Sequence, residues 1–372
     1  MRVTRKSRLR AGARPLLRPI AVMTAARLAT MGALAAVARV NGDSFNDFLR
    51  LWDGRWYELI AQQGYPSDVY GTDGAPIGLF AFFPVYPLLV RSVHAVTPLS
   101  WSDSASLTSF LLALGAAALL WLLVRDWKDA ATADRTVALF AFFPGTFVLS
   151  LHYSDGALVC AALACLLLLS RRRWLLAGLA GAVCTASRPN GVVIVVCCLW
   201  AAGMAIRQRR EWRALIAPAL APLGVVGYFL YLWRHTGHAW SWFVAEHEGW
   251  HDELAPFTFG DRMRYLWEHQ YSDKAGYALL AGAVFALIAL VLLIRDRPPA
   301  TLMIWTVGVL FLAFASYVLG PRPRFVMTAF PLFIAVATRL RRTLPFAAVV
   351  ALFAVAQTAL AVATALDVYL VP

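Results

Sequence analysis

Apolar stretches of about 20 residues recur along this chain, which is the length a helix needs to cross a hydrocarbon core of about 30 Å. Candidate spans fall at roughly 19–40, 104–124, 134–152, 155–170, 174–187, 191–206, 214–233, 276–294, 301–319, 325–338 and 343–367. Several are short enough to be tilted, broken or partly re-entrant. The pattern predicts an all-α multi-pass membrane protein of about eleven transmembrane helices, read as one membrane domain over residues 1–372. A further apolar stretch, 79–98 (LFAFFPVYPLLVRSVHAVTP), is long enough to cross, but Pro84, Pro87, Arg91 and His94 suit a crossing helix poorly. It is read as a helix lying at the membrane surface.

Charge supports that choice. If the basic N-terminus (1–18, seven basic residues and no acid) is cytoplasmic, the loops 125–133, Arg171-Arg172-Arg173, 207–213, 295–300 and 339–342 fall on the same side. Nearly every compact basic cluster then lies inside, as the positive-inside rule requires. Counting 79–98 as a span would invert this arrangement. The large loops 41–103 and 234–275 and the turns near Ser154, Arg188 and 320–324 are placed outside, in a cell (plasma) membrane. Arg27 and Arg39, and the lack of a clear cleavage site, mark the first span as uncleaved.

Composition narrows the options. Hydrophobic residues make up 60% of the chain and charged residues 15%, against about 25% charged in soluble domains. Mean hydropathy is +0.63. The net charge of +13 is accounted for by the inside loops, and no basic soluble face points to nucleic acid. All five cysteines lie in apolar runs without CxxC spacing; they read as small hydrophobes. No fixed-period repeat is present.

The first outer loop is the richest in chemistry. Residues 45–62 have helical spacing: Phe48, Leu51, Trp52, Trp56 and Leu59 form an apolar stripe with Asp53 toward its edge. That predicts an interfacial helix holding a carboxylate just above the lipid, able to take a proton from a membrane-tethered hydroxyl. A solvated acidic face on an anchoring helix is the alternative.

The string LWDGRWYELIAQQGYP followed by LFAFFPVYPLLVR resembles the PIG-V-type mannosyltransferases, which have the GT-C glycosyltransferase fold. FFPGTFVLSLHYSDGAL, TASRPNG and PRPRFVMTAFPLF resemble later segments of that family in the same order, along most of residues 45–335. The resemblance implies transfer of mannose from a polyprenyl-phosphate-mannose donor to a lipid-linked or glycolipid acceptor on the non-cytoplasmic face. It implies inversion of configuration, Asp53 as general base, and neither metal nor other cofactor. A cation must meet the leaving phosphate, and Arg188, Arg322 and Arg324 occupy outer turns suited to it, with interfacial snorkelling as the alternative. Arg55 is a further candidate contact for the donor, to phosphate or sugar. Trp52, Trp56, Tyr57, Tyr65, Tyr86, Tyr153 and Asp155 are candidate substrate-binding residues. The chain departs from the family at Asp155, where Glu is usual.

The second outer loop contains His247-Glu248-Gly249-Trp250-His251, a literal H-E-x-x-H, and holds five of the seven histidines, His269 among them. A zinc site would need both motif histidines on one helix face plus a third ligand, and Gly249 weakens such a helix. The loop is read instead as an acceptor-binding or lid element, with Glu246, His247 and Trp250 as candidate contacts. Two rival functions remain open at this point, a lipid or glycolipid transporter and a membrane metalloprotease.

Overall fold

A computed structural model describes residues 14–252, 255, 257, 258, 260, 261, 264, 274–316 and 322–366. The described residues are largely helical. In order it forms α1 (Arg14–Asn41), α2 (Phe45–Leu49), α3 (Asp53–Gln63), α4 (Val85–Val96), α5 (Trp101–Trp127), α6 (Ala130–Phe142), α7 (Asp155–Ser170), α8 (Trp174–Thr185), α9 (Val193–Arg209), α10 (Ile216–Leu220), α11 (Leu223–Thr236) and α12 (Ser241–Val244). The later helices are α13 (Lys274–Arg295), α14 (Ala300–Ala315), α15 (Pro323–Met327), α16 (Pro331–Arg339) and α17 (Thr343–Leu366). Among the described residues the sole β pairing is an isolated bridge between Tyr70 and Pro76.

Each predicted span overlaps helix within the described residues. Among the described residues six helical stretches are by themselves long and apolar enough to cross a membrane: Pro15–Asn41, Trp101–Trp127, Pro189–Arg209, Trp212–Thr236, Gly276–Arg295 and Thr343–Leu366. Three expectations are corrected. The stretch 134–152 is not one helix: α6 stops at Phe142 and residues Pro144–Ser150 form a 3-10 segment. That segment and α7 meet at a bend of 105°. Residues 45–62 are two helices with a sharp turn between them, and 79–98 is a 3-10 turn at Gly78–Ala81 followed by the shorter α4. The expected basic segment 1–13, His269 and part of the second loop lie outside the described residues.

Proline explains the breaks. It removes an N–H and drives the preceding residue to an extended backbone. Phe143 (ψ 139) and Arg188 (ψ 157) each precede a proline just after a helix ends, and Arg322 (ψ 155) precedes the proline that opens α15.

The carbonyls freed at the first break are met from inside the bundle. Arg27 on α1 donates to the Ala141 carbonyl at 2.8 Å and also to the Thr146 carbonyl. Gln357 on α17 donates to Phe143 O at 2.8 Å and Ala141 O at 3.0 Å. Buried carbonyls in an apolar interior need such partners. Arg27, the mid-span charge that a transporter reading would draw on, thus secures a helix break.

Candidate active site

The helix breaks converge on one cluster of charges. Asp53 is the first residue of α3, where a carboxylate is favoured by the helix dipole. Its placement depends on Trp52, whose backbone has φ 53 and ψ −116. The Gly54 amide donates to the Leu51 carbonyl at 3.1 Å and closes a four-residue turn there. Glycine is the usual occupant of that conformation; a Trp costs about 1–3 kcal/mol there. The surroundings hold it: Tyr153 Oη donates to the Leu51 carbonyl at 2.8 Å, and the His152 amide to the Leu49 carbonyl at 2.9 Å.

Arg324, on α15, reaches Asp53 Oδ2 through Nη2 at 2.5 Å. The same guanidinium donates to Asp155 Oδ2 from Nε at 3.2 Å and Nη2 at 3.0 Å. Arg188 donates to that oxygen from Nη1 at 3.0 Å and to Ser154 Oγ at 3.3 Å. Two carboxylates therefore face two guanidiniums, and the cluster is neutral overall.

The four side chains are not equally accessible. Asp155 and Arg324 are 0% and 2% exposed, Arg188 13% and Asp53 22%. Arg324 lies over the Tyr153 ring at 4.4 Å and near Phe325 at 5.3 Å. Tyr57, one turn after Asp53, shares a 2.5 Å hydrogen bond with Ser154 Oγ. Burial pushes its phenol up to about 12, so it stays protonated.

An aromatic wall borders this cluster. Trp56 meets Trp250 edge-on at 6.2 Å, and Phe82 packs against Tyr57 at 5.1 Å and Trp250 at 5.7 Å. The Trp250 indole donates to the Gly78 carbonyl at 2.9 Å, which fastens the second loop to the first. In the second loop Glu246 is half-buried within a π turn, Ala245–Gly249. Burial first, then the charge of Asp252, pushes its carboxyl up to about 8, and the charges of Arg188 and Asp53 also reach it.

The remaining predicted residues differ in exposure and surroundings. Arg55 is exposed, and Arg322 is the half-buried residue that caps α15. Tyr86 is fully buried and donates to Ala105 O at 3.0 Å, a packing role. Tyr65 donates to Phe82 O at 2.5 Å and lines a groove of about 470 Å³ with Tyr228 and Arg91. His247 is exposed, and His251 has φ 54 beyond the end of the π turn, so the H-E-x-x-H histidines do not share a helix face. Among the described residues no group of three His, Cys, Asp or Glu is placed to hold a metal ion. Sequence reasoning missed Ser154, although it lies inside the YSD segment, and it missed Phe82 and Phe325.

No protein-family model matches the chain, and no curated protein matches it. The fold does match solved structures. ArnT from Cupriavidus metallidurans bound to undecaprenyl phosphate superposes with a TM-score of 0.52 at 16% identity, covering 87% of this chain and 60% of that one. The protein has the fold of the GT-C membrane glycosyltransferases. AglB from Archaeoglobus fulgidus, an oligosaccharyltransferase in complex with an inhibitory peptide and a dolichol-phosphate, matches at a TM-score of 0.48 and 15% identity, over 93% of this chain and 56% of that one. The chain spans about 60% of the length of the ArnT it resembles. At such identities the likeness speaks to the fold alone.

Proposed function

We propose that this protein is a polyprenyl-phosphate-sugar-dependent glycosyltransferase that passes mannose to a lipid-borne hydroxyl at the extracytoplasmic face of the cell membrane. The observation that carries this reading is the partly exposed Asp53 carboxylate, fixed by Arg324 at the head of α3 within a GT-C fold. The ArnT structure contains undecaprenyl phosphate and that of AglB a dolichol-phosphate, the lipid class proposed here as donor. Mannose rests on the resemblance to the PIG-V-type enzymes.

The chemistry is a single displacement. The acceptor hydroxyl gives its proton to Asp53 Oδ1 while its oxygen attacks the anomeric carbon. The bond from that carbon to the phosphate oxygen breaks on the opposite face, and polyprenyl phosphate leaves with the electron pair. Configuration inverts. Arg324 is committed to two carboxylates and orients the base. Arg188 is more accessible and is the guanidinium assigned to the phosphate, where planar N–H groups match its oxygens. Trp56 and Trp250 offer faces for the sugar.

The test is incubation of purified protein with labelled polyprenyl-phosphate-mannose and a lipid extract. Transfer of label to a lipid with inverted linkage supports the reading. Transfer from a glucosyl donor but not a mannosyl one corrects the sugar. Movement of intact donor across vesicles without bond formation replaces the reading with transport.

A further inference from the structure

Behind Asp53 lies a second buried polar pair that the proposed chemistry does not use. Glu58, on α3, is 6% exposed, and His152, just before Tyr153, Ser154 and Asp155, is 0% exposed. His152 Nδ1 lies 3.4 Å from Glu58 Oε2, an ion-pair distance, and neither atom has a hydrogen-bond partner. On the other side of the ring, Nε2 lies 2.9 Å from Ser106 Oγ on α5. If the serine hydroxyl donates to Nε2, the ring proton resides on Nδ1, the nitrogen on the Glu58 side. Gln62 donates to Glu58 Oε1 at 3.1 Å, Arg50 stands 3.8 Å from that oxygen, and Arg50 is itself paired with Asp47. The Tyr57 and Tyr86 hydroxyls lie within electrostatic range of the site and of Glu58 respectively.

This pair bridges the two segments that must stay in register. One carries Asp53 on its strained turn, and the other carries Asp155. Backbone contact reinforces the bridge, since the His152 amide bonds to Leu49 O at 2.9 Å and a side chain at Gly54 would lie 3.4 Å from His152 Cβ. Glu58 Oε2 and His152 Nδ1 are buried and otherwise unpartnered, so their mutual attraction resists separation of the two elements.

We propose that Glu58 and His152 are positioning residues that set the first turn of α3, and hence the Asp53 carboxylate, against the Ser154–Asp155 turn. The catalytic part of this inference rests on the reading of Asp53 as base; the structural part does not.

The experiment uses the full-length protein in lipid nanodiscs with two readouts. The first is hydrogen–deuterium exchange over residues 49–57 and 150–155. Glu58→Leu is expected to speed exchange there by at least about threefold, and Glu58→Gln, whose amide oxygen still accepts from Nδ1–H, to restore protection. The second is sugar transfer, where Glu58→Leu is expected to lower kcat by about tenfold or more, with donor KM unchanged and Glu58→Gln rescuing. If Glu58→Leu does not fold, His152→Leu tests the same bridge from the other side. Unchanged exchange in a folded Glu58→Leu or His152→Leu protein overturns the inference, even if wild-type protein transfers sugar. Exchange that responds as expected in a protein that transfers no sugar upholds the bridge and overturns the transferase reading instead.

Discussion

Gly145 offers a test of how Arg324 is placed. A β-carbon built on Gly145 would lie 2.1 Å from the Pro323 carbonyl oxygen, 2.2 Å from its carbon and 2.6 Å from the Arg324 amide nitrogen. These are backbone atoms and cannot rotate away. Restoring an ordinary contact of 3.4 Å from 2.1 Å requires α15 or the Pro144 turn to retreat by about 1.3 Å. Arg324 bonds Asp53 at 2.5 Å and Asp155 at 3.0 Å, so a retreat of that size breaks at least one of these bonds. Misplacing a catalytic group by about 1 Å can cost on the order of 100-fold in rate, while overpacking costs about 1–3 kcal/mol in stability. Gly145→Ala should therefore fold with a lowered melting temperature and lose sugar transfer by about two orders of magnitude. Gly203→Ala is the control, because nothing lies within 4 Å of a β-carbon there. A Gly145→Ala protein with wild-type turnover would refute the argument that this close approach sets Arg324.

Other outcomes follow from the same geometry. Arg324→Lys replaces a planar fork by a point charge that cannot span Asp53 and Asp155; activity should fall at least about 100-fold, and thermal unfolding should report a loss of about 3 kcal/mol from the weakened buried pairing. Glu246, raised from an ordinary 4.5 to about 8, binds a proton in the folded protein across that window when the unfolded chain has released it. Stability should therefore fall as pH rises from about 5 to 8, and melting curves of Glu246→Gln should lose that part of the slope. A reporter fused after Gly64 should signal an extracytoplasmic location; a cytoplasmic signal would invert the proposed orientation.

Much of the helical fold was legible in the sequence because crossing a hydrocarbon core leaves a long apolar signature. The interruption at Pro144 was foreseen only as a span that could be broken, since its residues are as apolar as those of a crossing helix. The turn at Trp52 left no signal. A tryptophan in a conformation suited to glycine contradicts local preference, and it is held by partners such as Tyr153 far along the chain. Asp53, Asp155, Arg188 and Arg324 were each singled out as candidates, but the sharing of Asp155 by both arginines emerges from packing alone. The same is true of Glu58 and His152, which carry no motif. Tyr86 shows the converse: an aromatic in a suggestive segment whose hydroxyl is spent on Ala105 and Ser109.

The central claim is that Asp53 accepts the proton of the attacking hydroxyl. Its most direct test is the single-turnover rate of sugar transfer from labelled polyprenyl-phosphate-mannose by purified Asp53→Asn protein, compared with wild type at saturating donor. The amide keeps the shape of the carboxylate and can still bond Arg324 through its oxygen, but it cannot take the proton. The account predicts a loss of about 100-fold or more with donor affinity retained. Turnover near the wild-type rate would contradict it.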